Sequence, residues 1–222
     1  MKDKNMRICD VGSPMKLAEK LLHYFESSNI RNKVFIEAGA NNGIWQSNTY
    51  YLEKILGWNG ILVEPGPLSF NACLENRKND NNFFYNAALV DFQFKDKTIK
   101  GYFNEQDYEH LLMAQIEDAF VDVSNKERWK EKKLVEVQAE SLSNLIDRSK
   151  VTEIELLSLD VEGYELNALK GIDFDRHRPR HICIEIWNNM PTKKEIFSLL
   201  NDVGYIVVER IPPHDFLFAK IF

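Results

Sequence analysis

The 222-residue chain has little of what marks several large protein classes. Its three cysteines, Cys9, Cys73 and Cys183, are isolated and odd in number, with no paired spacing for a zinc knot or a redox C-x-x-C site, so a reducing compartment fits best. No apolar run approaches the roughly 18 residues that a membrane span needs, and the first five residues lead into no apolar signal core. A soluble, cytoplasmic protein without membrane association is therefore expected. A formal charge of −6 and the lack of a basic tract argue against extended contact with a nucleic-acid backbone. The aromatic content of 12% is ordinary core material, and no base-flipping constellation accompanies it. Internal repeats and a convincing interdomain linker are also missing, while 44% hydrophobic residues suffice for one sizeable domain.

What is present centres on residues 34–43. Val34, Phe35 and Ile36 suit a buried parallel strand that ends at Glu37 and opens into Gly39 and Gly43, glycines four residues apart. A helix is predicted to begin near residues 44–47 and run through Leu56, with its free N–H groups beside the turn. A second apolar run, residues 60–63, delivers Glu64 at its end, where a carboxylate can accept both hydroxyls of a ribose. Strand, glycine turn, helix, strand and terminal acid make a nucleoside-binding βαβ unit. The dinucleotide pattern G-x-G-x-x-G is not there. An acid before a G-x-x-x-G turn favours a ligand with an amino group and a sulfonium over a pyrophosphate. Asn41 is a further residue able to take up a left-handed conformation. An ordinary tight strand-to-helix turn is the competing reading.

Along the rest of the chain, Leu17, Leu21, Leu22 and Phe25 have helical spacing, so residues 1–33 read as an accessory helical segment before a main domain over 34–222. Residues 65–67 break the second strand and lead into a helix over 68–74. Residues 83–90 read as a third strand, in which Asn86 either reaches the ligand or satisfies local backbone groups. Residues 91–133 form an insertion or lid, with a short strand over 98–103, a helix over 107–116 and a charged run around Trp129. Leu156, Leu157 and Leu159 form a buried strand ending at Asp160 and Glu162, which continued extended geometry would direct to one side. A strand over 181–187, a helix over 192–203 and a closing hairpin around Pro212 and Pro213 complete the order. The alternation predicts a mostly parallel α/β sheet with helices on both faces and an antiparallel terminal strand.

The combination of residues 37–43, Glu64 with Pro65, residues 86–89 and residues 160–165 resembles the FkbM-type methyltransferase family over most of the chain from Val34 onward. The resemblance implies a Rossmann-like methyltransferase fold with a seven-stranded sheet, S-adenosyl-L-methionine as cofactor, and O-methylation of a sugar or other polyhydroxylated small molecule. It further implies that Gly39 and Gly43 shape the methionine side of the pocket and that Glu37 fixes the ligand directly or through water. Glu64 would bind the ribose, Asn86 and Ala88 would approach the adenine edge, and Asp160 would lie near the cofactor's amino group and the acceptor crevice. The family often begins its first motif with Asp where this chain has Glu37.

For chemistry at the acceptor, Asp160 and Glu162 are the central candidates, with His181 and His214 as further proton-handling groups. The acid pair alone does not define an oxygen shell for Mg2+, so no metal site is assigned. The expected partner is a polar, carbohydrate-containing small molecule. A noncatalytic sensor of an adenosyl ligand and a nucleic-acid methyltransferase are the alternative functions.

Overall fold

Short apolar runs alternate with amphipathic segments, and in the computed structural model, which describes residues 17–103, 115–117, 119 and 133–221, the runs become strands and the segments cover them. Helix α1 (Leu17–Ser27) turns Leu17, Leu21, Leu22 and Phe25 inward. The strand–helix–strand unit follows as β1 (Val34–Ala38), α2 (Tyr50–Leu56) and β2 (Asn59–Val63). Next come α3 (Pro67–Asn76), β3 (Phe83–Tyr85), β4 (Ala88–Leu89), β5 (Thr98–Phe103), β6 (Gln115–Ile116) and β7 (Lys133–Glu140). The chain then forms α4 (Leu142–Ser149), β8 (Leu156–Leu159), α5 (Glu165–Lys170), β9 (His181–Glu185) and α6 (Lys193–Asp202). The hairpin of β10 (Tyr205–Ile211) and β11 (Asp215–Lys220) closes it.

Seven strands form one sheet in the order β10-β11-β9-β8-β1-β2-β3, parallel except for β11, which runs antiparallel to both of its neighbours. The expected seven-stranded, mostly parallel Rossmann-like sheet is thus present. Its antiparallel member is the last strand in sequence, inserted between β9 and β10 rather than placed at an edge. Side chains alternate between two cores. Ile36, Leu157, Ile182, Ile184, Phe216 and Phe218 pack with residues of α4, α5 and α6 on one face. Phe35, Leu62, Leu156, Cys183 and Leu217 pack with α1 and α2 on the other. Among the described residues no helix is long and apolar enough to cross a membrane.

The stretch expected to be a single strand over 83–90 divides at Asn86. Its side-chain Nδ2 donates to the carbonyls of Glu64 at 2.8 Å and Pro65 at 2.9 Å, which ends β3 and sends β4 into a second sheet of order β4-β7-β5-β6. That sheet is the described part of the 91–133 insertion together with its flanks. It buries Ala88, Val90, Ile99, Phe103, Ile116 and Val137 in a small core of its own. Of the helix expected over 107–116, residues 107–114 lie outside the described residues, and Gln115 and Ile116 are strand. Trp129 and the charged run around it also lie outside them.

Candidate functional site

Beneath the first turn, Glu37 ends in a fully formed hydrogen-bond network. Its carboxylate, 2% exposed, accepts from the Asn48 amide at 2.7 Å, the Thr49 amide at 3.2 Å, Ser47 Oγ at 2.8 Å and Thr49 Oγ1 at 2.7 Å. Arg77 Nη1 stands 3.3 Å from it, while Arg77 Nε donates to Glu53 at 2.8 Å. Burial acts to raise the Glu53 carboxyl, yet Arg77, Lys54 and Asn82 together hold it below the usual carboxylate range. Asn42 Oδ1 meanwhile accepts from the amides of Ile44 and Trp45. Residues 41–49 are thereby wrapped as a loop, and α2 starts at Tyr50 rather than near 44–47. Glu37 serves as a cap and counter-ion for this loop, and its oxygens are turned into the fold.

Gly43 belongs to the same inner layer. It has φ of +79°, and a Cβ there would come within 2.6 Å of Arg77 Cγ and 3.0 Å of Cys73 Sγ, so its lack of a side chain makes room for the arginine rather than for a ligand. Gly39 is different. With φ of +86° its amide and that of Ala40 both reach the Val63 carbonyl, and a Cβ would sit 1.8 Å from the Asp160 carbonyl oxygen. The turn after β1 and the turn after β8 therefore touch backbone to backbone.

Above that contact lies a crevice enclosing about 760 Å³ of atom-free space including its open mouth. Gly39, Asn41, Glu64, Ala88, Asp160 and Glu162 line it, so six of the sequence-selected residues meet in one place. Gln46, Ala87, Leu89 and Tyr164 complete the main walls, and Phe103 and Ile116 of the second sheet close the side next to Ala88. Glu37, Gly43 and Asn86 stand behind these walls.

Glu64 is 4% exposed, and each carboxylate oxygen holds one backbone amide, Asn41 at 2.9 Å and Gly66 at 2.8 Å. Burial pushes its carboxyl up to about 7 against the pull of those two amides. Asn41 adopts φ of 48°, and its Oδ1 is buried with no hydrogen-bond partner among the described residues. An orphaned acceptor beside a buried acid at the end of β2 is an acceptor set that the hydroxyl donors of a ribose and the N–H donors of an amine-bearing ligand complete. The residues present therefore fit an adenosyl cofactor.

On the other wall, burial and the charge of Glu37 raise the Asp160 carboxyl to about 6. The extended geometry expected through Glu162 does not continue: β8 ends at Leu159, and Glu162 takes φ of 54° before Gly163 at 96°. Both acids nevertheless face the crevice because the turn folds back. That turn is held by Glu165, which closes the 160–165 motif and to which the sequence alone assigns no role. Its Oε1 accepts from the amides of Val161 at 3.2 Å and Gly163 at 3.0 Å, and it is fully buried. An acid three residues after Glu162, at a helix start, was the available signal.

The two histidines are not brought to the crevice. His181 starts β9, four residues from its carboxyl end and so about 13 Å from it along the strand. There it contacts the Glu155 carboxylate at 3.2 Å and Tyr24 Oη at 3.3 Å, a base-of-strand position that corrects its candidacy as a proton acceptor. His214 lies in the closing hairpin, stacked on Trp187 at 4.5 Å. Burial, with Lys193 and Arg210, holds its imidazole below the usual range. Among the described residues no group of three or more His, Cys, Asp and Glu side chains could hold a metal ion.

A family profile described as "Methyltransferase FkbM domain" matches residues 37–207. A curated relative, methyltransferase sdnD of Sordaria araneosa, is 25% identical over 206 residues, covering 82% of this chain and 78% of its own. Among solved structures, methyltransferase FkbM of Methylobacillus flagellatus KT superposes with a TM-score of 0.53 at 15% identity. That match covers 89% of this chain but 46% of the other, so the chain spans about half the length of that protein. A SAM-dependent methyltransferase of Aquifex aeolicus matches over 100% of both chains at 13% identity, with a TM-score of 0.42.

Proposed function

The chain belongs to the FkbM methyltransferase family and uses S-adenosylmethionine, and from that premise we propose that it methylates a hydroxyl oxygen of a sugar or other polyhydroxylated small molecule. The observation that carries this reading is Asp160, an acid in the crevice wall whose carboxyl is raised by burial and by Glu37 to about 6. Such a group is ionised at neutral pH yet basic enough to take a proton from a hydroxyl as the oxygen forms its new bond.

Bound S-adenosylmethionine supplies a methyl group activated by its sulfonium. Glu64 accepts from the ribose hydroxyls, its two oxygens already aligned by the amides of Asn41 and Gly66. Asn41 Oδ1 accepts from a donor on the ligand, and Ala88 gives a flat apolar surface for the adenine. Phe103 and Ile116 exclude water from that end. On the acceptor side Asp160 receives the hydroxyl proton, and Glu162 accepts a neighbouring hydroxyl to fix the acceptor's direction of approach. Glu165 acts through these two by tying down the turn that carries them.

Purified protein given methyl-labelled S-adenosylmethionine with pools of sugars, nucleotide sugars and glycosides is expected to label a hydroxyl, identified by mass spectrometry. Binding of the cofactor without transfer to any pool, together with ligand-regulated binding of a protein partner, would instead favour a sensor.

A further inference from the structure

Three residues that line the crevice have left-handed backbones without being glycine: Asn41 at φ of 48°, Gln46 at 57° and Glu162 at 54°. Asparagine tolerates that region, whereas longer side chains occupy it at a cost. At Gln46 the cost is built into a turn. The Ser47 amide donates to the Ile44 carbonyl at 3.2 Å, which closes four residues with Gln46 in third place. A positive φ at that place, following a residue without one, calls for glycine or asparagine. Both flanks of the turn are held. Asn42 Oδ1 accepts from the amides of Ile44 at 3.0 Å and Trp45 at 2.7 Å, while Ser47 Oγ donates to Glu37 and accepts from Arg77. The loop thus keeps a glutamine where a glycine would relieve the backbone, and that glutamine stands in the crevice wall. Residues held in sparsely populated backbone regions concentrate at ligand sites.

Burial falls along the crevice. Glu64 is 4% exposed, and Ala88 and Phe103 are 2% exposed at the end assigned to the nucleoside. Asp160 and Glu162 are part-buried, and Gln46 is exposed. The Gln46 carboxamide makes no hydrogen bond to a described residue. It reaches the crevice from the loop after β1 and Glu162 from the turn after β8, the two segments that meet where Gly39 touches the Asp160 carbonyl. A side chain at the open end meets the molecule that enters from solvent once the cofactor is in place. Its chemistry narrows what that molecule is. A carboxamide is uncharged and offers one acceptor oxygen and two N–H donors, which match neighbouring hydroxyls, each of them a donor and an acceptor.

Resting on the methyl-transfer reading above, we propose that Gln46 is a specificity-determining residue for the acceptor, its carboxamide holding two neighbouring hydroxyls of an uncharged polyol whose reacting hydroxyl lies at Asp160. The held flanks of the turn fix the Cα from which the carboxamide reaches. Asp160 and Glu162 line the same crevice, so when ionised they repel a phosphate or carboxylate placed there. The substrate class is therefore a free sugar or glycoside rather than a sugar phosphate.

Steady-state transfer from methyl-labelled S-adenosylmethionine by the full chain tests this, with native protein and Gln46→Gly given a pool of sugars and glycosides and a matched pool of sugar phosphates. Glycine suits the turn and removes the carboxamide. The variant is expected to melt at the same or a higher temperature and to bind S-adenosylhomocysteine as native protein does in calorimetry. Its KM for the labelled sugar is expected to rise roughly 10- to 30-fold, the loss of two hydrogen bonds. An unchanged KM, a loss of S-adenosylhomocysteine affinity that matches the loss of transfer, a lowered melting temperature, or a native preference for sugar phosphates would each overturn the assignment. Those outcomes leave methyl transfer to a hydroxyl standing, whereas native protein that labels neither pool would sink that reading and this one with it.

Discussion

Glu64 and Asp160 face each other across the crevice and do different work because their surroundings differ. Glu64 already holds two amides, one on each carboxylate oxygen, and in the proposed reading its remaining lone pairs take the ribose hydroxyls. Replacing it by alanine removes charge-assisted bonds with an individual net worth of about 1.5–3 kcal/mol, so cofactor affinity measured by calorimetry should fall roughly 10- to 100-fold with the fold retained. Asp160, raised to about 6, must be ionised to accept a proton. Transfer should therefore rise as pH rises through about 6 and level off above it. Asp160→Asn should abolish that dependence and slow single-turnover transfer by about 10²–10⁴-fold, the range of general-base contributions. A slowed but still pH-dependent variant would move the base elsewhere.

Among the elements, loop 41–49 and α2 depend on one buried cation. Arg77 is fully buried and bridges Glu37, Glu53, Thr49 and the Gly43 carbonyl. Arg77→Met keeps the volume but leaves two buried acids without their partner, a loss of about 3–5 kcal/mol by denaturant unfolding. A cost within experimental error would mean that the remaining donors suffice, Lys54 and Asn82 at Glu53 and the amides and hydroxyls of residues 47–49 at Glu37. Sequence periodicity made β1, β2, β8 and the closing hairpin legible, because each is a short apolar run bounded by turn residues. It did not reveal the start of α2, since Glu37 holds the amides of Asn48 and Thr49 just ahead of that helix from eleven and twelve residues away, and Ser47 Oγ takes the first helical amide, Tyr50. Nor did it reveal the second sheet, whose β4 has two residues and pairs with β7 some fifty positions later. Glu37, Gly43 and Asn86 stand behind the crevice walls, and spacing could not distinguish a residue that lines such a crevice from one that supports the residue lining it.

At the scale of the whole molecule, the carboxyl end of the sheet gathers acids that burial holds above their usual range: Glu64 and Glu165 to about 7, Asp215 to about 7 and Glu185 to about 10. A carboxyl with a raised folded-state value contributes stability that is full below the unfolded value and lost as pH rises through the folded one. The ligand-free protein should accordingly lose thermal stability as pH rises from about 4 through about 7, with the part due to Glu185 lost up to about 10. Glu64 alone contributes on the order of 3 kcal/mol to that loss. Ribose hydroxyls donating to the Glu64 carboxylate favour its charged form, so S-adenosylhomocysteine should raise the melting temperature more at pH 8 than at pH 5.5. An equal shift at both values would place the ribose away from Glu64.

The central claim is that this crevice moves a methyl group from S-adenosylmethionine to an acceptor hydroxyl held against Asp160. Single-turnover transfer from methyl-labelled S-adenosylmethionine into a pool of sugars and glycosides, run side by side with native protein and Asp160→Asn, tests it most directly. The account predicts an O-methylated product from the native protein, with cofactor binding retained and transfer lost in the variant. Label on a nitrogen or on nucleic acid, or equal O-methyl transfer by both proteins, would contradict it.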